Sequence, residues 1–256
     1  MAPPLLQVTD AVKKFGMMRA VDGASFSVAE GSITGLIGPN GAGKTTLFSA
    51  IAGETVLTSG KVMFDGADIS HFAASDVYAC GLGRTFQIPR PFPTMTILEN
   101  VMLAATDQLG ERFWNTWFRP GQVKQQERNI RDRAREIIQF CNLGALEGHV
   151  AGAISGGQKK LLELARVLMS DPKLILLDEP AAGVNPALLD LLVEKLVELN
   201  ESGKTFLIIE HNMDLVMSLC DPVVVLAQGK VLCAGTPQEV ADDPAVIDAY
   251  LGEVVA

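Results

Sequence analysis

An α/β fold built on a parallel sheet is what this sequence predicts, and three observations predict it. The apolar runs "KLILLD", "TFLIIE" and "PVVVLA" alternate with helix-patterned stretches from Pro172 onward. Such alternation places helices on both faces of a parallel sheet. A glycine-rich loop, "GPNGAGKTT", sits between the apolar run "SITGLIG" and a helical pattern. Hydrophobic residues make up 48% of 256, enough for one large α/β domain or a core with an inserted subdomain.

The elements follow in order. Leu5 to Val28 alternates apolar and polar residues between glycines, as half-buried antiparallel strands do, so an N-terminal antiparallel β subdomain is expected. "SITGLIG" reads as a buried strand stopping at Gly38, followed by a helix over Lys44–Ala52 that Gly53 is placed to close. "GKVMFDG" is a short strand between turn glycines. "IPRPFPTMT" is too rich in proline for either element and predicts an exposed, extended connector.

A helical region follows. Thr96 and Glu99 have the spacing of a capping box ahead of "ILENVMLAA". "FWNTWF" is an aromatic cluster. "QVKQQERNIRDRAREIIQFC" is a charged amphipathic helix with Ile130, Ala134, Ile137 and Ile138 on one face. An inserted α-helical subdomain is therefore expected over 86–160, between core segments 1–85 and 161–256. In the second core segment "PALLDLLVEKLVELN" and "NMDLVMSL" are the helices between strands. The tail "GTPQEVADDPAVIDAYLGE" reads as two short capped helices.

Composition excludes several functions. The net charge is −9 and no basic stripe is present, which argues against a nucleic acid as main partner. Cys80, Cys141, Cys220 and Cys233 have no metal or redox spacing and read as reduced thiols. The N-terminus lacks the apolar core of a signal peptide. No apolar run approaches the roughly 18 residues that span a bilayer. A soluble protein is expected, reaching any membrane through a partner.

Gly38, Gly43, Lys44 and Thr45 fit the phosphate-loop pattern between strand and helix. After Pro39, which has no N–H of its own, the backbone N–H groups of Asn40, Gly41 and Ala42 can close on a phosphate, and the helix N-terminus adds positive potential. Lys44 would neutralise the β- and γ-phosphates, the Thr45 hydroxyl would ligate Mg²⁺, and Thr46 completes the loop. A P-loop NTPase (RecA-like) core is the expectation, with a nucleotide as ligand.

Asp178 and Glu179 end the run "LILLD" at the sheet edge where parallel sheets bind ligands. Asp178 is suited to hold Mg²⁺, and Glu179 to deprotonate an attacking water. A second small-residue loop, Ser155, Gly156, Gly157 and Gln158, opens a helix that buries Leu161, Leu162, Ala165, Leu168 and Met169. Alone, Ser155 and Gln158 make a capping box. Standing between a phosphate loop and an acidic strand end, they ask for more.

That order of motifs resembles the ATP-binding subunits of ABC transporters from about Leu5 to Gly252. "ISGGQ" matches the family's signature loop, where leucine is the more frequent first residue. The resemblance implies that this loop binds the γ-phosphate of ATP held by Lys44 of a second ATPase subunit, across a head-to-tail dimer. It further implies that Phe15 stacks on adenine, that Gln87 senses Mg²⁺ and γ-phosphate, and that His211 contacts γ-phosphate and holds Glu179. "AAGVNP", with Gly183 and Asn185, occupies the D-loop. Asn185 and Asn212 stand where aspartate is frequent; both keep hydrogen-bonding capacity without the charge.

"RTFQIPRPFPTMTILENV", the lengthened helical insert, "LLDEPAAGVNP", "LIIEHNMDLVM" and "DPAVIDAYLGE" are similar to the importer ATPases for branched-chain and other hydrophobic amino acids, in their longer type. ATPases of lipopolysaccharide export share the short tail and the "AGV" D-loop and are the alternative. The importer resemblance implies integral membrane permease subunits, a substrate-binding protein at one remove, and a place on the cytoplasmic face of the membrane. It also implies that a cleft near Gln87 and Phe92 grips a permease helix. A small-molecule P-loop kinase would leave Ser155–Gln158 and His211 without a role. ABC proteins of repair or translation carry paired cassettes or long coiled coils, which this chain lacks.

Overall fold

The computed structural model describes residues 3–85, 89–106, 108–109, 117 and 120–251. The chain divides into two compact units, Met1–Gln87 with Lys173–Ala182 and Leu196–Ala256, and Ile88–Pro172 with Gly183–Lys195. The helical unit thus runs beyond the 86–160 segment marked out by composition.

The first unit holds two sheets. Strands β1 (Leu6–Phe15), β2 (Met18–Val28), β4 (Ser59–Phe64) and β5 (Ala67–Asp68) form an antiparallel sheet in the order β2-β1-β4-β5. Strands β3 (Ile33–Ile37), β6 (Leu82–Arg84), β7 (Leu174–Asp178), β8 (Thr205–Ile209), β9 (Val223–Ala227) and β10 (Lys230–Gly235) form the second, ordered β10-β9-β3-β8-β7-β6. Every pairing in it is parallel except β9 with β10. All five residues of β3, of β7 and of β8 are buried, as strands covered on both faces must be. That double burial is why they appear in the sequence as unbroken apolar runs. Helix α1 (Lys44–Ile51) contributes Leu47, Phe48 and Ile51 to a core that also holds Leu6 and Phe64 of one sheet and Leu36, Leu207 and Leu226 of the other.

The strands β5 and β6, the helix α2 (Ala74–Ala79) and the antiparallel edge strand β10 were not anticipated. β6 is three residues, "LGR", too short to show a period, and it becomes a strand only because β7 supplies its hydrogen bonds.

In the second unit α3 (Ile97–Met102) opens with the expected capping box: Thr96 Oγ1 accepts from Glu99 N, and the Glu99 carboxylate accepts from Thr96 N. Helix α4 (Pro120–Phe140) buries Ala134 and Ile138, with Ile130 and Ile137 half-buried beside them. Of the aromatic cluster only Trp117 lies within the described residues, and it is exposed. The connector after Pro89 has no regular structure and is largely exposed, as its prolines require. It is tied down by fully buried Asn100, whose Oδ1 accepts from Phe92 N at 2.8 Å and whose Nδ2 donates to Phe92 O at 3.1 Å and Thr96 O at 2.9 Å. Among the described residues no helix is long and apolar enough to cross a membrane.

Candidate active site

Four neighbouring parallel strands, β3, β8, β7 and β6, end at the same edge of the second sheet. The phosphate loop, Asp178, Glu179 and His211 all follow strands that end there. Open α/β sheets bind ligands at this edge because loops leave it and helix N-termini face it.

The phosphate loop leaves β3. Its Gly38 has φ +145°, and a Cβ there would stand 1.9 Å from Leu226 O; Gly43 has φ +99°, with a Cβ 2.1 Å from Ala20 O. Only glycine satisfies both the backbone and the packing at these two positions. Gly43 leads directly into α1, whose first residue, Lys44, is buried. Its ammonium curls back to donate to Gly38 O at 2.7 Å and Pro39 O at 2.8 Å. The lysine is thus held within the loop that it would serve. Thr45 is exposed on the first turn.

β7 ends with Asp178, 3% exposed, and then Glu179. Burial pushes the Asp178 carboxyl above the ordinary aspartate value, while the Arg84 guanidinium, donating to Oδ2 at 3.0 Å, pulls the other way. Arg84 also donates to Ser49 Oγ at 3.0 Å and Glu54 Oε2 at 2.7 Å, so β6, α1 and β7 share one cation. Because Arg84 takes Oδ2, it leaves Oδ1 of Asp178 to other partners. The oxygens of Asp178 and of the Thr45 hydroxyl are hard donors, the type that suits Mg²⁺.

Glu179 has φ +49°, a backbone conformation uncommon for a residue with a side chain and typical of functional sites. Its Oε1 lies 2.9 Å from His211 Nε2, at the end of β8. The expected pair of Glu179 and His211 is therefore brought together. All three histidines are exposed, and His211 differs from His71 and His149 in its carboxylate partner. Asn212 caps the helix α7 (Met213–Leu219), its Oδ1 accepting from Leu215 N, so asparagine performs that local task without a charge. Phe15 ends β1 half-exposed, with Lys13 Nζ over its ring at 5.1 Å from the centroid. Gln87 lies outside the described residues.

In the second unit, Ser155 caps helix α5 (Gly156–Leu168) with the full reciprocal box: Gln158 N donates to Ser155 Oγ at 3.3 Å and Ser155 N to Gln158 Oε1 at 2.9 Å. Accepting that bond leaves the serine's own O–H to donate elsewhere, so a capping role and an anion-binding role are compatible. The two glycines differ. A Cβ on Gly156 meets nothing within 4 Å, whereas one on Gly157 would sit 2.0 Å from Leu188 Cδ2. Leu188 lies on helix α6 (Pro186–Glu201), which begins just after Gly183 and Asn185; Asn185 Oδ1 accepts from Leu188 N at 3.0 Å.

Two further residues at the sheet edge, Arg84 and Glu210, received no role from the sequence. Each stands inside a stretch that was singled out, "RTFQ" and "IIEHN", but an isolated charge at a strand end shows its partners only once the strands are aligned.

The geometry of this edge can be set beside known proteins. Residues 21–182 match the family model described as ABC transporter, well over half of the chain. The chain belongs to the ABC transporter ATP-binding family. Residues 230–256 of this ABC ATPase also match a model described as branched-chain amino acid ATP-binding cassette transporter. It is 40% identical over 248 residues to a probable branched-chain amino acid transport ATP-binding protein LivG of Archaeoglobus fulgidus, covering 97% of this chain and 95% of that one. It is 39% identical to the high-affinity branched-chain amino acid transport ATP-binding protein BraF of Pseudomonas aeruginosa, covering 99% and 100%. Among solved structures it resembles an ATP-binding cassette of an ABC transporter in its ADP conformation, with TM-score 0.83, 36% identity and 98% and 100% coverage. A nucleotide-free cassette matches equally well, with TM-score 0.83 and 37% identity over 96% and 98%. The resemblance drawn from the motifs thus holds over nearly the whole ABC cassette, and the enzyme class is an ATPase.

Proposed function

We propose that this ATPase drives uptake of branched-chain or other hydrophobic amino acids, working as one half of a head-to-tail dimer on the cytoplasmic face of the membrane. The observation that carries the hydrolytic part is the Glu179–His211 pair, 2.9 Å apart on the sheet edge that also carries the phosphate loop. The cargo reading rests on the match of the C-terminal segment 230–256 and on the printed names of the full-length relatives.

Lys44 and the loop amides of Gly38–Thr46 bind the ATP phosphates, and Phe15 stacks on adenine. Thr45 and Asp178, with Gln87, would hold Mg²⁺, which supplies charge neutralisation on the phosphate oxygens when bound. Glu179 accepts the proton of the attacking water. His211 orients Glu179 through its Nε2 and contacts the γ-phosphate. Ser155, Gly156, Gly157 and Gln158 complete the site of the opposite subunit, with Gly183 and Asn185 along the seam. Closure is then a population shift whose size is bounded by the difference in ATP affinity between closed and open dimers. Permease subunits receive that motion, the connector around Phe92 being the surface that meets them, and a binding protein delivers cargo to the permease.

The testing experiment has two arms. Purified Glu179→Gln chain should lose turnover, keep ATP binding and form a dimer on a sizing column with Mg·ATP. Retained hydrolysis would remove Glu179 from its role. Deleting the gene should abolish uptake of labelled leucine and leave uptake of a charged amino acid intact; unchanged leucine uptake would overturn the cargo.

A further inference from the structure

Glu210 is 3% exposed, and among the described residues its partners are all backbone N–H groups. Oε1 accepts from Ala181 N at 2.7 Å; Oε2 accepts from His211 N at 3.0 Å and Asn212 N at 3.4 Å. Burying a carboxylate is costly without such donors, and several amide dipoles aimed at it offset the loss of water. Hydrophobic burial alone would have placed a leucine here. The acid needs another explanation.

The strand ends supply it. β7 and β8 are parallel neighbours whose register ends at Asp178 opposite Ile209. One more backbone bond follows, from Glu179 N to Ile209 O at 2.9 Å. Alternate residues of β7 face β8, the others bonding the β6 side as Leu176 O does with Thr85 N, so the next N–H toward β8 is that of Ala181. The Glu210 side chain takes it, standing in for a backbone carbonyl where the ladder ends. With its other oxygen it fixes the backbone of His211 and Asn212, and Asn212 in turn caps α7. Glu179 therefore lies between two anchors on its own strand, and His211 follows directly on the residue that ties them.

We propose that Glu210 is a positioning residue, its buried carboxylate clamping the two strand ends so that His211 Nε2 meets Glu179 Oε1. Its carboxylate is committed to backbone N–H groups and acts through the pair. The proposal rests on the reading that Glu179 and His211 carry hydrolysis, and its test separates the two.

The test uses the purified full chain and its Glu210→Gln and Glu210→Asp variants. The glutamine keeps the length but turns an NH₂ toward an N–H donor; the aspartate keeps the charge but falls a methylene short. The chain has only 3 histidines, so long-range ¹H–¹⁵N spectra report His211 beside His71 and His149. In both variants kcat should fall about tenfold or more, with KM and the Kd for a fluorescent ATP analogue within about twofold. His211 signals should shift while those of His71 and His149 stay in place. Wild-type kcat with an unmoved His211 signal overturns the proposal. So does loss of ATP binding or collapse of all three histidine signals in both variants, which would make Glu210 an ordinary fold determinant. Glu179→Gln is measured alongside: if it retains turnover, the catalytic assignment fails, and the His211 shift still decides whether Glu210 positions that ring.

Discussion

His211 Nε2 stands 2.9 Å from Glu179 Oε1 although 32 residues separate them in the chain. Two parallel strands with a shared edge create that contact, and its chemistry is directional. An imidazole bound to a carboxylate fixes the orientation in which that carboxylate meets a proton donor. Glu179→Gln preserves the hydrogen bond to His211 and removes the basicity. Turnover should therefore drop by about 10²–10⁴, the range of a general base, with ATP affinity unchanged. Single-turnover ATPase measurement beside nucleotide titration checks it.

The signature loop is best probed at Gly156, where added atoms meet open space, and not at Gly157, where they meet Leu188. An aspartate at Gly156 occupies the first turn of α5, where negative charge favours the helix by about 0.3–1 kcal/mol. Gly156→Asp should thus leave thermal stability equal or slightly raised while abolishing ATP-dependent dimerisation. Full ATPase activity in that variant would reduce the loop to a helix cap. Gly157→Ala, by contrast, should lower the melting temperature by forcing Leu188 aside.

Gly43→Ala should destroy the phosphate loop. The new Cβ collides with Ala20 O and the backbone must keep φ +99°. A penalty of about 1–3 kcal/mol for the backbone strain alone is expected. Lys44→Ala should leave the fold intact and weaken ATP binding, since its bonds to Gly38 O and Pro39 O are not shared with the core. Calorimetric titration with ATP distinguishes the two variants from each other.

Buried Cys141 and Cys220 make stability fall in alkali. Burial pushes both thiols from an ordinary 9.0 up to about 12. The unfolded chain loses these protons first, so the folded state's advantage is complete below the ordinary value. It is lost as pH rises toward the folded value, at about 1.4 kcal/mol per pH unit for each thiol. Urea unfolding at rising alkaline pH should show this slope, and Cys141→Ala with Cys220→Ala should flatten it. Exposed Cys80 should react with an alkylating reagent while the folded chain protects Cys141 and Cys220.

Asn100→Leu should destabilise the helical unit by about 1–3 kcal/mol, the cost of stranding a backbone N–H of the connector. Phe92 N loses its acceptor, whereas Phe92 O still accepts from Met95 N and Thr96 O from the backbone N of residue 100. Limited proteolysis near Phe92 should accelerate in that variant.

Much of the site was legible because its local requirements are written in residue type. The glycines of the phosphate loop satisfy a backbone that only glycine adopts without strain, and Thr96–Glu99 and Ser155–Gln158 form capping boxes at their expected spacing. Runs buried on both faces announced β3, β7 and β8. Arg84 and Glu210 carried no comparable mark. A single arginine after two residues of strand, or a glutamate before a histidine, has many ordinary uses. β6 itself was invisible at three residues.

By itself the sequence determined the longer elements, the two small-residue loops and the order of the motifs, because hydrophobic period, glycine and caps act over a few neighbouring residues. Only the tertiary structure decided that β3 and β7 flank β8, and so which side chains meet at the edge. Strand pairing joins segments distant in sequence, and the bonds from Arg84 to Asp178, from Glu210 to Ala181 and from His211 to Glu179 exist only once that order is set.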